Sequence, residues 1–144
     1  MTIIEKLKKG VTTGSAAATR ALAAELAAAL PADATLALHG DMGVGKTTFV
    51  QGLAHGLGVH EQVTSPTFAI YSIYQGLTRR LVHLDAYRLE NELQLEPLLL
   101  EEFLISPFCL AVEWPEKTGA WLPEEAWHLT LSIVEGERHR VQLR

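Results

Sequence analysis

One glycine-rich stretch constrains this chain more than any other feature. Residues 40–47, Gly-Asp-Met-Gly-Val-Gly-Lys-Thr, fit the pattern G-x-x-x-x-G-K-[ST] at every position. Residues 35–39 before it have the character of a short buried strand, and residues 48–54 after it carry apolar side chains at helical spacing. Strand, glycine loop and helix is the setting in which this pattern forms a phosphate-binding loop. The stretch therefore predicts an α/β protein that binds a nucleoside triphosphate.

The residue types in the loop explain this prediction. Gly43 and Gly45 allow backbone conformations that a Cβ would hinder, so successive N–H groups can point at one anion. The helix that follows adds unpaired N–H groups and the positive end of its dipole. The Lys46 ammonium can reach the β- and γ-phosphates, and the Thr47 hydroxyl is placed to ligate Mg²⁺. The predicted nucleotide-binding residues are Met42, Gly43, Val44, Gly45, Lys46 and Thr47.

Composition limits the class of protein. The chain has 144 residues, 48% of them hydrophobic and 20% charged, which predicts a single globular domain over residues 1–144. A formal net charge of −5 argues against a protein that grips nucleic acid directly. The lone cysteine, Cys109, excludes an internal disulfide and predicts a buried, unreactive thiol in a cytoplasmic setting. No apolar stretch reaches the roughly 18 residues of a membrane helix, so no membrane association is expected.

The rest of the chain alternates between helical and strand patterns. Residues 1–11 fit either a short edge strand or a loose arm. The other predicted elements are a helix capped by Ser15 and ending at Leu30, paired strands at 68–74 and 79–84, a helical segment at 92–104, a strand at 108–112, and a hairpin at 129–143 with its turn at 135–137. This order predicts the three-layer fold of phosphate-loop NTPases: a mainly parallel sheet flanked by helices, with antiparallel strands and a C-terminal hairpin.

Two acidic residues follow apolar strands. Asp85 ends one run and Glu113 ends another, and ligands of open α/β sheets lie at the carboxyl ends of strands. Mg²⁺ prefers hard oxygen ligands, so one acid should hold the metal. The other should orient or deprotonate the attacking water. The residue types alone leave open which acid does which.

A Ser-Pro-Thr turn is the third candidate element. Pro66 stiffens a turn that carries two hydroxyls, those of Ser65 and Thr67. Such a loop can order around a γ-phosphate, and a plain turn whose hydroxyls bind local backbone is the equal alternative. The three arginines Arg79, Arg80 and Arg88 fit a solvated face better than a phosphate site.

Four motifs make the chain similar to the bacterial TsaE (YjeE) family of ATPases, which are needed for threonylcarbamoyladenosine modification of tRNA. They are the glycine loop through Thr48, Ser-Pro-Thr-Phe at 65–68, His-Leu-Asp-Ala-Tyr-Arg-Leu at 83–89 and Glu-Trp-Pro-Glu at 113–116. The glycine loop is common to phosphate-loop proteins, but the other three in this order are specific. The resemblance spans nearly the whole chain.

The resemblance implies roles for individual residues. In the family, the positions of Thr47 and Glu113 ligate magnesium. The position of Asp85 is needed for turnover, as a base or as a residue that positions water.

The resemblance also assigns residues around these three. Ser65 and Thr67 correspond to a switch-like loop, and Trp114 corresponds to an aromatic side chain beside the site. Gly136, in the final hairpin, is expected to approach the nucleotide.

At the level of function, the resemblance implies an ATPase that uses ATP and Mg²⁺ and turns over slowly without partners. It implies docking on the TsaD–TsaB protein pair, with tRNA reached only through that complex. The chain departs from the family at 98–102, Leu-Leu-Leu-Glu-Glu, where a glycine is often present. A small-molecule kinase is the alternative, although its usual arginine-bearing lid has no counterpart in residues 90–104.

Overall fold

A seven-stranded sheet forms the centre of the molecule. The structure is a computed structural model and describes residues 1–66 and 70–144. Its helices and strands in chain order are α1 (Ile3–Lys9), β1 (Val11–Thr13), α2 (Ala16–Ala29), β2 (Asp33–His39), α3 (Lys46–Gly56), β3 (Tyr71–Gln75), β4 (Arg80–Asp85), β5 (Phe108–Glu113), β6 (Trp127–Val134) and β7 (Arg138–Leu143).

The sheet has the strand order β1-β7-β6-β2-β5-β4-β3. Its four central strands, β6, β2, β5 and β4, are parallel. The outer strands β3, β7 and β1 pair antiparallel, and β6 with β7 forms the expected hairpin. The predicted fold class is confirmed. The parallel centre matters for function because it brings the carboxyl ends of β2, β4 and β5 to one edge.

Side chains alternate between the two faces of the sheet, and each face has its own core. On one face, Leu36 and Leu81 pack with Phe49 and Leu53 of α3 and with residues of α1 and α2. On the other, residues such as Leu110 pack beneath short 3₁₀ segments. These segments are Glu92–Leu98, Leu100–Phe103, Pro115–Lys117 and Gly119–Trp121. The glycine loop lies on the same face of the sheet as α3, because α3 follows it directly.

Helices α2 and α3 approach each other closely because small residues line their contact. A Cβ added to Gly52 would lie 2.3 Å from the carbonyl oxygen of Arg20 and 2.7 Å from Cβ of Ala23. At Gly56 it would lie 2.7 Å from the carbonyl oxygen of Ala24. These distances are too short for any side chain. The alanine-rich sequence of α2 therefore serves close packing.

We expect Gly52→Ala to destabilise the fold although alanine is the better helix former. Alanine gains about 1 kcal/mol of helix propensity, but moving a backbone carbonyl in a packed interface costs about 1–3 kcal/mol. The matched control is Gly14→Ala, where an added Cβ meets nothing within 4 Å. Urea unfolding should show a lower midpoint for Gly52→Ala only. An equal or higher midpoint would show that the helices separate freely.

The N-terminus differs from its prediction. Residues 3–9 form the helix α1, and the edge strand at this end of the chain is β1, which begins at Val11. The Thr2 hydroxyl accepts from the Glu5 N–H at 3.1 Å, and the Glu5 carboxylate reaches back to the Thr2 N–H. This reciprocal capping box satisfies two otherwise unpaired donors. The Thr-x-x-Glu spacing was readable in the sequence and was missed.

The segment at 92–104 is also different, since it forms two 3₁₀ segments instead of one α-helix. Pro97 has no N–H to continue a helix, and Leu99 adopts a left-handed φ of 51° between the segments. Leu95 and Leu100 are nevertheless fully buried. The predicted helical segment is therefore two short 3₁₀ segments, which these leucines anchor in the core.

Two of the arginines assigned to a solvated face bind backbone instead. Arg79 donates to the carbonyl oxygens of Leu30, Pro31 and Ala32, where α2 ends. Arg80 donates to Phe103 O at 3.2 Å. Both side chains therefore tie β4 to neighbouring segments.

Other expectations are confirmed with small shifts of boundary. Ser15 caps α2 by accepting from the Ala18 N–H at 3.1 Å. The first predicted strand of the pair is seen as Tyr71–Gln75, and residues 67–69 lie outside the described parts of the chain. Cys109 is buried, and burial raises the pKa of its thiol to about 12, so the thiol is unreactive at neutral pH.

None of the helices in residues 1–66 and 70–144 has the length and apolar character that a membrane crossing requires.

Candidate functional site

The glycine loop leads from β2 directly into α3. Gly43 and Gly45 have φ of +84° and +97°, in the left-handed region that side chains rarely adopt. Gly40 is held close to β6, since an added Cβ would lie 2.5 Å from Leu131 O. Gly45 is the N-cap of α3 and provides no side-chain cap, so the first N–H groups of the helix remain available. The backbone is therefore arranged to bind an anion.

Lys46 is the first residue of α3 and is only 5% exposed. Its Nζ donates to Gly40 O at 2.7 Å and lies 3.7 Å from the centre of the Trp114 ring. Burial lowers the pKa of Lys46, and the nearby carboxylates of Glu113 and Asp85 act in the opposite direction. Across the described residues, no carboxylate lies within ion-pair distance of Nζ. The ammonium thus faces the loop without a fixed anionic partner.

Thr47 and Glu113 come together beside the loop. The Thr47 hydroxyl lies 3.4 Å from Glu113 Oε2, and Glu113 is only 5% exposed. A hydroxyl next to a buried carboxylate is the hard-oxygen pair that Mg²⁺ prefers. These two residues fit the predicted metal site.

Asp85 lies next to Glu113 at the same edge of the sheet. The two residues are paired in the register of β4 and β5. Asp85 Oδ1 accepts from the Tyr87 N–H at 3.0 Å, which fixes the carboxylate at the end of its strand. The structure therefore places both predicted acids at the loop.

Ser65 of the predicted switch-like loop reaches the same place. Its hydroxyl lies 2.8 Å from the Thr47 hydroxyl. Thr67, the other residue of that loop, lies outside the described residues.

These side chains line one cavity of about 410 Å³. The predicted residues that line it are Met42, Gly43, Gly45, Lys46, Thr47, Ser65, Asp85, Glu113 and Trp114. Of the predicted residues that the structure describes, two do not line it. Val44 is buried, with its carbonyl turned toward β7, and Gly136 lies in the hairpin turn with φ +75°. A separate cavity of about 460 Å³, between α2 and α3, has no phosphate-binding backbone around it.

Aromatic side chains form one wall of this cavity. The Trp114 backbone is left-handed, with φ 56°, and its ring lies 5.2 Å from that of Tyr87. Lys117 Nζ donates to Tyr87 O at 2.5 Å. Lys46 Nζ lies over the Trp114 ring of this wall.

Three histidine contacts around the site were not predicted. His83 Nε2 donates to Glu113 Oε2 at 2.6 Å. His139 of β7 donates from Nδ1 to Val44 O at 2.9 Å, which ties the C-terminal hairpin to the loop. His39 and His128 share a hydrogen bond of 2.8 Å just before the loop. Burial lowers the pKa of His39, and the positive charge of Arg144 adds to this effect.

Only one of these contacts had a signal in the sequence. A strand has a period of two, so His83 and Asp85 must face the same side of β4. The spacing of His83 from Asp85 therefore places the imidazole on the same side of the strand as the acid.

Comparisons with known proteins support the fold and identify the family. A solved structure, the crystal structure of Bacillus subtilis YdiB, superposes with a TM-score of 0.72 at 30% identity, covering 93% of this chain and 82% of that one. The tRNA threonylcarbamoyladenosine biosynthesis protein TsaE of Bacillus subtilis is 39% identical over 124 residues, 85% of this chain and 77% of its own length. The protein of the same name from Streptomyces coelicolor is 40% identical over 121 residues, 82% of this chain and 81% of its own length.

A family model covers most of the chain as well. The model described as "Threonylcarbamoyl adenosine biosynthesis protein TsaE" matches residues 13–141, a span that contains the glycine loop, both acids and most of the hairpin. Because this family model and the relatives above match most of the sequence, the chain belongs to the TsaE family.

Proposed function

We propose that this protein binds and hydrolyses ATP with Mg²⁺, and that it serves the biosynthesis of threonylcarbamoyladenosine in tRNA. One observation carries the ATPase proposal: Lys46, Thr47, Asp85 and Glu113, from three separate elements, meet in a single cavity at the N-terminus of α3. The second part is supported by membership of the TsaE family, whose members are named as threonylcarbamoyladenosine biosynthesis proteins.

Each group in the cavity has a defined task in this proposal. The N–H groups of the loop and the Lys46 ammonium bind the β- and γ-phosphates. Thr47 and Glu113 hold Mg²⁺, which when bound neutralises charge on the phosphate oxygens. Asp85 orients or deprotonates the attacking water, since it lies beside Glu113, lines the cavity and uses only Oδ1 in its bond to the Tyr87 N–H.

We further propose that turnover is slow in the isolated protein and is coupled to the TsaD–TsaB pair. A net charge of −5 disfavours direct binding to the tRNA backbone, so tRNA is reached through these partners. The lone Cys109 thiol and a tRNA pathway both fit a cytoplasmic setting.

A kinase is the weaker interpretation of the same cavity. A kinase lid would have to come from residues 90–104. There Leu95 and Leu100 are fully buried in the core on the opposite face of the sheet. The segment therefore supports the fold and does not close over a phosphate.

The test is ATP hydrolysis by the purified protein, alone and with TsaD, TsaB and tRNA, with modified tRNA scored in parallel. We expect slow hydrolysis alone, faster hydrolysis with the partners, and repeated rounds of modification only when this protein is present. If ATP is bound but the partners change neither hydrolysis nor modification, the pathway proposal fails and a phosphoryl acceptor should be sought.

A further inference from the structure

His83 is a buried polar residue that the proposed mechanism has not used. It lies in β4, two residues before Asp85, and its exposed fraction is 0%. Nε2 lies 2.6 Å from Glu113 Oε2. Within the described residues, Nδ1 has no hydrogen-bond partner. A buried polar atom without a partner lowers stability, so an apolar side chain would serve the core better. The imidazole therefore calls for another explanation.

This contact places His83 at one end of a short chain of hydrogen bonds that runs through Glu113 and Thr47 to Ser65. A carboxylate only accepts, so His83 Nε2–H is the donor to Glu113 Oε2. The Thr47 hydroxyl donates to the same oxygen at 3.4 Å and lies 2.8 Å from the Ser65 hydroxyl. Four elements, β4, β5, α3 and the 61–66 segment, are joined in this way.

Two donors on one oxygen restrict the Glu113 carboxylate. The terminal torsion of a glutamate is broad and selects no single orientation by itself. A carboxylate has about four lone-pair positions. Two are occupied by His83 and Thr47, and the others remain for a ligand in the cavity that Glu113 lines. Without His83, the carboxylate would lose its shorter contact and could turn away from Thr47.

We propose that His83 is the positioning residue of the magnesium carboxylate. Its Nε2–H holds Glu113 beside Thr47, so that both oxygen ligands are in place before Mg²⁺ arrives. This inference rests on the proposed function and adds to it a residue that does not line the cavity. The unpaired Nδ1 is then the stability cost of keeping a donor at this point in the core.

The test compares His83→Leu with His83→Gln. Leucine fills the space without a donor, and glutamine carries an amide N–H at a similar reach to Nε2. Binding of a non-hydrolysable ATP analogue is measured by calorimetry over a range of Mg²⁺ concentrations and in EDTA. We expect His83→Leu to raise the Mg²⁺ concentration at half-maximal effect about 10- to 100-fold. His83→Gln should restore most of this loss, and binding in EDTA should be unchanged in both.

Two controls separate positioning from general destabilisation. Leu81→Ala lies on the same face of β4 and is fully buried, but Leu81 does not line the cavity. It should lower stability without moving the Mg²⁺ midpoint. Glu113→Gln removes the proposed ligand and should abolish the Mg²⁺ dependence.

The outcomes distinguish the inference from the function on which it rests. If wild type and Glu113→Gln behave as expected but His83→Leu keeps the wild-type midpoint, His83 is structural and the inference falls. The same holds if His83→Gln, which retains a donor, shifts the midpoint as far as His83→Leu. Wild-type nucleotide binding that does not depend on Mg²⁺ would overturn the proposed function itself, and the inference with it.

Discussion

Lys46→Ala should lower the affinity for ATP by about 30-fold or more, which corresponds to the 2–5 kcal/mol typical of removing one partner from a buried charge pair. The reason is geometric. The Lys46 side chain is 5% exposed at the first position of α3 and has no carboxylate within ion-pair distance among the described residues. A phosphate would be its natural counter-ion.

The folded protein should tolerate this substitution. Burial lowers the pKa of Lys46, which means that the folded state disfavours the ammonium charge. Removing the side chain relieves that penalty while it removes the contacts with Gly40 O and the Trp114 ring. Thermal unfolding should therefore change little, and calorimetric titration should isolate the loss of binding.

The control for net charge is Lys8→Ala, in α1 and away from the loop. It changes the charge by the same amount and should leave ATP affinity as in the wild type. Equal affinities for Lys46→Ala and the wild type would contradict the assignment of the loop.

Asp85→Asn should reduce the rate of ATP hydrolysis by about 10²- to 10⁴-fold, the range for a general base or water-positioning group. ATP binding should stay within a few-fold, because Lys46 and the loop backbone bind the phosphates. Asparagine has nearly the same shape, and its carbonyl oxygen can still accept from the Tyr87 N–H. The change therefore removes the charge and basicity and keeps the local fold.

Phosphate release, with and without the TsaD–TsaB pair, measures this effect. The control is Asp33→Asn. Asp33 is the first residue of β2, so it lies at the amino end of the strand, away from the loop, and its Oδ1 accepts from the Phe108 N–H. This variant should hydrolyse ATP at the wild-type rate. If Asp85→Asn hydrolyses ATP at the wild-type rate, Asp85 has only a structural role, and another group of the cavity must act on the attacking water.

Local patterns explain why so much of the site was predictable. The glycine loop needs only eight consecutive residues, and its Lys46 and Thr47 are placed by the start of the helix that follows. Asp85 and Glu113 were found because an acid after an apolar run marks the end of a strand. Period and spacing along the chain carry this information.

Pairing between distant segments accounts for what the sequence analysis did not find. The hydrogen bond between His83 and Glu113 joins residues 30 positions apart and depends on the parallel register of β4 with β5. The bond between His139 and Val44 spans 95 positions and depends on where the hairpin packs. The spacing of His83 from Asp85 indicates which side of β4 the imidazole faces, but no local pattern gives the partner in either contact.

The sequence by itself determined the glycine loop, the two strand-end acids, most of the order of strands and helices, and membership of a family through its motifs. The tertiary structure alone decided that both acids lie side by side, that Arg79 and Arg80 bind backbone, and that residues 92–104 form 3₁₀ segments beneath the sheet. The physical reason is range. Helix caps and strand period arise from neighbours along the chain, whereas the partner of a buried charge or donor is set by which strands pair.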